Sequence, residues 1–285
     1  MDQTEKGTVM TEKSSVWNAV SALRKAQPLV LNITNFVVMN NTANALLALG
    51  ASPLMAHAPE ELDEMLTISQ ALVLNIGTLS APWIESMKKA GEIASTKKVP
   101  VVLDPVGAGA SRLRTQTSLD LIECASPAVI RGNGSEIMAL AAALGIEAPQ
   151  GADTQTKGVD SQLAALEVKE LARGLARKAQ AVVCVSGPED YVTDGDRGVR
   201  VIGGSSLMPR VTGLGCTATS LVGAMLAVVE SPFDAAVHAM HVMSTAGAMA
   251  ASRAAGPGTL QLHFYDALYS LDEDDLLGCV QVEED

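Results

Sequence analysis

Along most of the 285-residue chain, short apolar runs rich in β-branched residues alternate with longer segments of helical periodicity. The pattern predicts strands at Leu29 to Ile33, Pro53 to Ala56, Ala71 to Asn75, Pro100 to Asp104, Ala128 to Arg131 and Ala181 to Ser186. Helices are predicted between them at Thr42 to Leu49, Glu60 to Ile68, Pro82 to Lys97, Thr115 to Cys124, Ser135 to Leu144 and Ser161 to Lys178. Strands and helices in this alternation imply βαβ units around a mostly parallel sheet buried on both faces. Asp190 to Ile202 breaks the pattern. Two short strands flank the turn Asp194-Gly195-Asp196, as in a hairpin at a sheet edge. From Cys216 to Ser270 the chain is helical and rich in Ala, Gly and Ser, which favours close helix packing. The fold class read from this is α/β, a three-layer αβα arrangement with a helical C-terminal part.

No linker, repeat or low-complexity block divides the chain. Residues 1–15 read as a frayed polar tail, 16–270 as one domain and 271–285 as an acidic segment. The Ala148 to Asp160 loop, with Pro149, Gly151 and Gly158, reads as the flexible stretch.

In open parallel sheets, ligands bind beyond the carboxyl ends of the strands. Those ends carry Thr34-Asn35, Asn75-Ile76-Gly77, Asp104-Pro105-Val106-Gly107, Arg131-Gly132-Asn133 and Ser186-Gly187. Turn geometry alone accounts for any one such exit equally well. A charge placed directly on an apolar strand is harder to explain that way, and both Asp104 and Arg131 are so placed. Glu136 opens the helix after Asn133. Helix capping explains it; so does a role with Asp104 in holding Mg²⁺ through water.

The sharpest local signal is Thr212-Gly213-Leu214-Gly215-Cys216-Thr217 before an apolar helix. Such a turn points backbone N–H groups inward at the positive end of a helix. Gly213, Leu214, Gly215 and Cys216 thus form a candidate anion hole for a phosphate or a developing charge. No Walker spacing is present, and the Gly107-Ala108-Gly109 run lacks the third glycine of a dinucleotide fingerprint. At a helix start, the Cys216 thiol is expected to fall below its usual ~8.5. His238 and His241 stand three apart on a helix without a nearby third ligand, so packing is their better reading.

Composition narrows the partners. At 48% hydrophobic and 18% charged, the chain is no disordered protein. A net charge of −12 and eight Trp, Tyr and Phe residues argue against nucleic acid as a partner. Seven of the acids lie in the last fifteen residues with no base among them, so much of that charge reads as a solvated end. Four cysteines without a C-x-x-C pair give neither a disulfide framework nor a zinc site. The uncharged stretch Gln27 to Pro59 is interrupted by prolines and asparagines, and the helical part of Val211 to Val229, after its Thr-Gly-Leu-Gly start, falls short of a bilayer span of ~20 residues. A cytoplasmic location without a membrane partner is expected.

Together these motifs resemble the hydroxyethylthiazole kinase family of thiamine biosynthesis, which has a ribokinase-like fold. The resemblance runs from about Pro28 to Ala267. It rests on Ile33-Thr34-Asn35, the Asn44 to Pro53 run, Asn75-Ile76-Gly77-Thr78-Leu79, Leu103 to Gly109, Ile130 to Asn133, Ser135-Glu136-Ile137, Lys157 to Asp160, the Gly-x-Gly-Cys turn and Gly256-Pro257-Gly258. It implies transfer of the ATP γ-phosphoryl group to 4-methyl-5-(2-hydroxyethyl)thiazole. By that resemblance Met55, Asn35 and Gly213 bind the thiazole, Arg131 and Ser186 bind ATP, Asp104 and Glu136 serve Mg²⁺, and Cys216 sits beside the reacting hydroxyl. It further implies a homotrimer with sites at subunit interfaces, Met55 coming from the neighbouring chain. Leu214 stands where Thr or Ala is usual and Ser186 where Thr is frequent.

Three other readings stay open at this point. A hydroxymethylpyrimidine-type kinase shares the fold and anion hole, although Cys216 stands where such relatives carry Asp. A nucleotide-dependent dehydratase of hydrated nicotinamide cofactors shares the architecture. A thiazole- or thiamine-binding regulator would lack a working site, against which the joint presence of Asp104, Arg131 and Glu136 speaks.

Overall fold

A computed structural model describes residues 4–147 and 160–285. Strands β1 (Leu29–Ile33), β2 (Ser52–Leu54), β3 (Ala71–Asn75), β4 (Val101–Asp104), β5 (Val129–Asn133), β6 (Val182–Ser186), β7 (Asp190–Thr193), β8 (Gly198–Ile202) and β9 (Gln281–Glu284) form one nine-stranded sheet. Its order is β2-β1-β3-β4-β5-β6-β7-β8-β9. The first six are parallel and the last three run antiparallel, with the β7–β8 hairpin where the sequence places it.

Side-chain alternation assigns the two faces. Val30, Val73, Val102 and Val129 point into one core, while Leu31, Leu72, Leu74, Leu103 and Ile130 point into the other. The first core is covered by α1 (Thr4–Ala26), α2 (Met39–Leu49), α8 (Leu214–Leu226), α9 (Pro232–Arg253) and α10 (Pro257–Ser270). The second is covered by α3 (Leu62–Ile68), α4 (Ala81–Lys97), α5 (Arg112–Ala125), α6 (Gly134–Ala143) and α7 (Asp160–Ala179). Burial on both faces explains why these strands read as continuous apolar runs. The result is the αβα sandwich expected from the sequence.

Three differences from the sequence reading stand out. Helix α1 runs from Thr4, so the segment read as a tail is continuous with the turns that bury Val16, Val20 and Leu23. The acidic end is not simply solvated. It forms α11 (Glu273–Gly278), which buries Leu276, and then β9, which pairs with β8. Its carboxylates meet bases from elsewhere, with Glu283 on Arg200 and Asp285 on both Lys169 and Arg173. Third, α5 begins at Arg112 rather than Thr115, because the Ser111 hydroxyl accepts the Arg114 N–H and caps it earlier. The expected flexible loop, Ala148 to Asp160, lies outside the described residues except for Asp160.

Helix α8 is the element that makes a site possible. All of its residues after Cys216 are buried, and it lies directly on the sheet. A Cβ on Gly223 would come within 2.8 Å of Val73 Cγ2 and 3.4 Å of Val30 Cγ1. The glycine lets the helix axis drop onto β1 and β3, which sets the N-terminus of α8 over the carboxyl ends of the central strands.

Candidate active site

Gly213 caps α8 with φ of 85°, a left-handed conformation that favours glycine. Space there is also short, since a Cβ would fall 2.7 Å from Val38 Cγ1. The first intrahelical bond runs from the Thr217 N–H to the Gly213 carbonyl at 2.8 Å. The N–H groups of Leu214, Gly215 and Cys216 therefore precede the ladder, where a helix has no internal acceptors to offer. No acid occupies this first turn. Gly213, Leu214 and Gly215 line a cavity of about 900 Å³, with Arg131, Ser186, Gly187 and Asp190 on its other wall. Ligand clefts span roughly 300 to 1,000 Å³, so the volume suits a nucleotide-sized ligand.

Arg131 reaches this cavity from β5. Its Nη2 donates to Ser186 Oγ at 2.7 Å, and its Nη1 lies where a Cβ on Gly215 would be only 3.1 Å away. A guanidinium packed against a helix N-terminus concentrates positive potential. Its buried Nε has no partner among the described atoms. Burial lowers the basicity of Arg131, but Asp104 and the other acidic groups around it more than reverse this. The facing carboxyls show the same balance. Burial raises Asp104 to about 6 against the pull of Arg131, and burial likewise raises Asp190 to about 6.

Asp104 ends β4 and is buried. Its Oδ2 accepts from Asn75 Nδ2 and from Thr219 Oγ1, each at 2.7 Å. Asn75 Oδ1 accepts from Asn35 Nδ2 at 2.8 Å, and the same Nδ2 donates to Cys216 Sγ at 3.4 Å. Cys216 and Thr219 sit one turn apart on α8, so the chain of bonds closes on itself. Glu136 is held differently. Its two oxygens accept the N–H groups of Gly107 and Asn133, each at 2.8 Å, and the Asn133 side chain completes a capping box.

The helix-start expectation for Cys216 is corrected by this environment. Burial pushes the thiol up to about 11, with the Asp104 charge adding to the rise and the hydrogen bonds and Arg131 opposing it. Desolvation outweighs the helix terminus. The remaining candidates divide cleanly. Asn35, Asp104, Arg131, Ser186, Cys216 and the anion-hole turn are brought together, and Glu136 stands at the next strand exit. Met55 stands apart, half-buried after the edge strand β2. Two residues further on, His57 stacks with Trp83, as does Phe36, with ring centroids 3.9 and 4.9 Å from the indole, and the Trp83 Nε1–H donates to the Thr34 carbonyl.

Asn75, Thr219 and Asp190 join the site without being marked as site residues by the sequence. Asn75 is visible there at a strand exit, Thr219 only as one more small residue on an apolar helix, and Asp190 only as the start of a hairpin. Among the described residues no group of three or more His, Cys, Asp or Glu is placed to hold a metal ion.

An αβα sandwich with a helix N-terminus and a buried arginine around one cleft is a ribokinase-like fold with a site suited to a phosphate-bearing ligand. Solved pyridoxal kinase from Staphylococcus aureus, bound to ADP, has this fold, with a TM-score of 0.60 at 17% identity over 90% of this chain and 99% of that one. The match to the hydroxyethylthiazole kinase family model covers residues 20–274, and the chain belongs to that family. It is 57% identical to a hydroxyethylthiazole kinase of Nitratidesulfovibrio vulgaris over 96% of this chain and 99% of the relative. It is 56% identical to that of Oleidesulfovibrio alaskensis, again over 96% and 99%. A solved hydroxyethylthiazole kinase protein from Pyrococcus horikoshii superposes with a TM-score of 0.86 at 42% identity, covering 95% of this chain and 99% of that one.

Proposed function

We propose that the protein transfers the γ-phosphoryl group of ATP to the primary alcohol of 4-methyl-5-(2-hydroxyethyl)thiazole, for thiamine synthesis or salvage. The observation that carries this is a cleft walled by Arg131 and the free amides at the start of α8, with the Asp104 network bonded to that same helix through Thr219 and Cys216, in a chain of this family. In the reaction the alcohol oxygen bonds to the γ-phosphorus as the bond to the β,γ-bridging oxygen breaks, and ADP leaves. Charge in this loose transition state lies mainly on the phosphoryl oxygens. The amides of Leu214, Gly215 and Cys216 and the Arg131 guanidinium would stabilise it, while Ser186 fixes the guanidinium's direction. Cys216, protonated at neutral pH, would position the hydroxyl rather than ionise it, the proton leaving late to the transferred phosphoryl oxygens.

Mg²⁺ fits the residues present in one particular way. Asp104 takes both of its hydrogen bonds on Oδ2, and each Glu136 oxygen already accepts one backbone N–H. The lone pairs left over suit the water shell of a hydrated cation better than direct ligation. When bound, the ion neutralises phosphate charge.

We further infer a homotrimer in which Met55 completes the thiazole site of a neighbour. Its place just after the edge strand β2, half-buried, supports this. A cytoplasmic setting accords with the described residues, none of whose helices is long and apolar enough to cross a membrane. The test of function is incubation with the thiazole alcohol and ATP, with Mg²⁺ or with chelator, and product detection by mass. The phosphate ester should form only with Mg²⁺, and its absence in both arms would defeat the proposal. Light scattering should give three chains per particle, and a monomer would remove Met55 from the site.

A further inference from the structure

We propose that Asn75 is a positioning residue that acts on Cys216 chiefly through Asn35, fixing that amide so that its N–H, not its carbonyl, meets the Cys216 sulfur. The inference rests on the kinase reading above.

The orientation follows from the partners that can only donate. Gly77 N–H can only donate, and it lies 3.0 Å from Asn75 Oδ1. That leaves Asn75 Nδ2 at the other end, donating to Asp104 Oδ2 at 2.7 Å. Both ends of the Asn75 amide are therefore fixed. Asn35 inherits its direction from Asn75. Its Oδ1 accepts the Val37 N–H at 3.1 Å, and its Nδ2 faces Asn75 Oδ1 at 2.8 Å. The second hydrogen on that Nδ2 falls to Cys216 Sγ. With the sulfur as acceptor, the S–H is free to turn toward a bound alcohol.

The surroundings are built to this purpose. Asn35 and Asn75 are 4% and 1% exposed, where apolar residues would serve packing at lower desolvation cost. A Cβ on Gly77 would lie 2.5 Å from Asn35 Nδ2, so the backbone there gives way to the amide. From the outside Arg114 holds the loops that carry Asn75 and Asp104, donating to the carbonyls of Ile76, Gly77 and Val106.

Removing Asn75 frees Asn35 to rotate and to present either end to the sulfur. We expect Asn75→Ala to lower kcat roughly fivefold to tenfold, on the scale of the Asn35–Cys216 contact it orients, while KM for ATP stays within about threefold. In an Asn35→Ala background the same substitution should cost less than about threefold, because the amide it orients is gone and only the Asn75 side chain's own approach to Cys216 is left to lose. Asn75→Ser, which keeps an oxygen to accept from Asn35 and Gly77, should recover part of the loss and provides a second variant should the alanine protein not fold. Unchanged kcat in a folded Asn75→Ala protein would overturn the proposal. So would full additivity with Asn35→Ala, or a loss confined to KM for ATP. Failure of the unsubstituted enzyme to phosphorylate the thiazole alcohol would instead defeat the kinase reading itself.

Discussion

Replacing Cys216 separates two mechanisms for the same site. With the thiol pushed up to about 11, roughly one molecule in a thousand is ionised at pH 8. Deprotonating it there costs about 4 kcal/mol, so a thiolate base starts at a disadvantage. General-base help is worth roughly 10²- to 10⁴-fold where a reaction uses it, and loose phosphoryl transfer leans instead on positioning and electrostatics. Cys216→Ala removes one 3.4 Å hydrogen bond from Asn35, whose Nδ2 keeps Asn75 as partner. Such a bond contributes about 1 kcal/mol, roughly fivefold in rate if felt wholly in the transition state. Cys216→Ala should accordingly lose less than about a hundredfold in kcat. Cys216→Asp should remain active, its carboxylate accepting from the same Asn35 amide. The assay is ADP release at saturating Mg-ATP and thiazole alcohol, with a melting curve for each variant. A loss well beyond a hundredfold in Cys216→Ala, with the melting curve unchanged, would refute the reasoning and restore a base or covalent role.

Other consequences are as direct. Asp104 and Asp190 sit near 6 and both face Arg131, so kcat/KM should fall as they protonate below about pH 6. The Cys216 thiol should add no limb between pH 7 and 9, and a steep rise there would contradict its burial. Arg131→Ala should raise the KM for ATP, and an unchanged KM would remove Arg131 from the nucleotide site. Gly213→Ala forces a Cβ to 2.7 Å from Val38 at φ of 85°, and should destabilise the fold by roughly 1 to 3 kcal/mol, read by denaturant melts. It should also slow phosphoryl transfer by displacing the α8 amides, which initial rates would reveal.

The sheet is legible in the sequence because its strands are buried on both faces. Valines on one side and leucines or isoleucines on the other leave apolar runs that no helix period explains. The hairpin is legible from its Asp-Gly turn. Strand β9 is not, because the acids at that end, Glu283 and Asp285, find Lys169, Arg173 and Arg200 far away in sequence. Only the folded sheet edge makes those charges ordinary. The site divides in the same way. Asp104, Arg131 and the Gly-x-Gly-Cys turn stand out because a charge on an apolar strand and a glycine turn before a helix are local signals. Asn75 and Thr219 do not, since their meaning comes from Asp104, 29 and 115 residues away in sequence. The state of the Cys216 thiol escapes the sequence for a related reason. A helix terminus can be read there, but the burial that outweighs it belongs to the packed fold.

The central claim is that this site phosphorylates a thiazole alcohol, and competition tests it most directly. The enzyme would be given limiting Mg-ATP with equal amounts of the hydroxyethylthiazole and the hydroxymethylpyrimidine, and the products resolved by mass. The thiazole phosphate should dominate, with one ADP formed for each ester. A predominance of pyrimidine phosphate, or of ADP without either ester, would contradict the account.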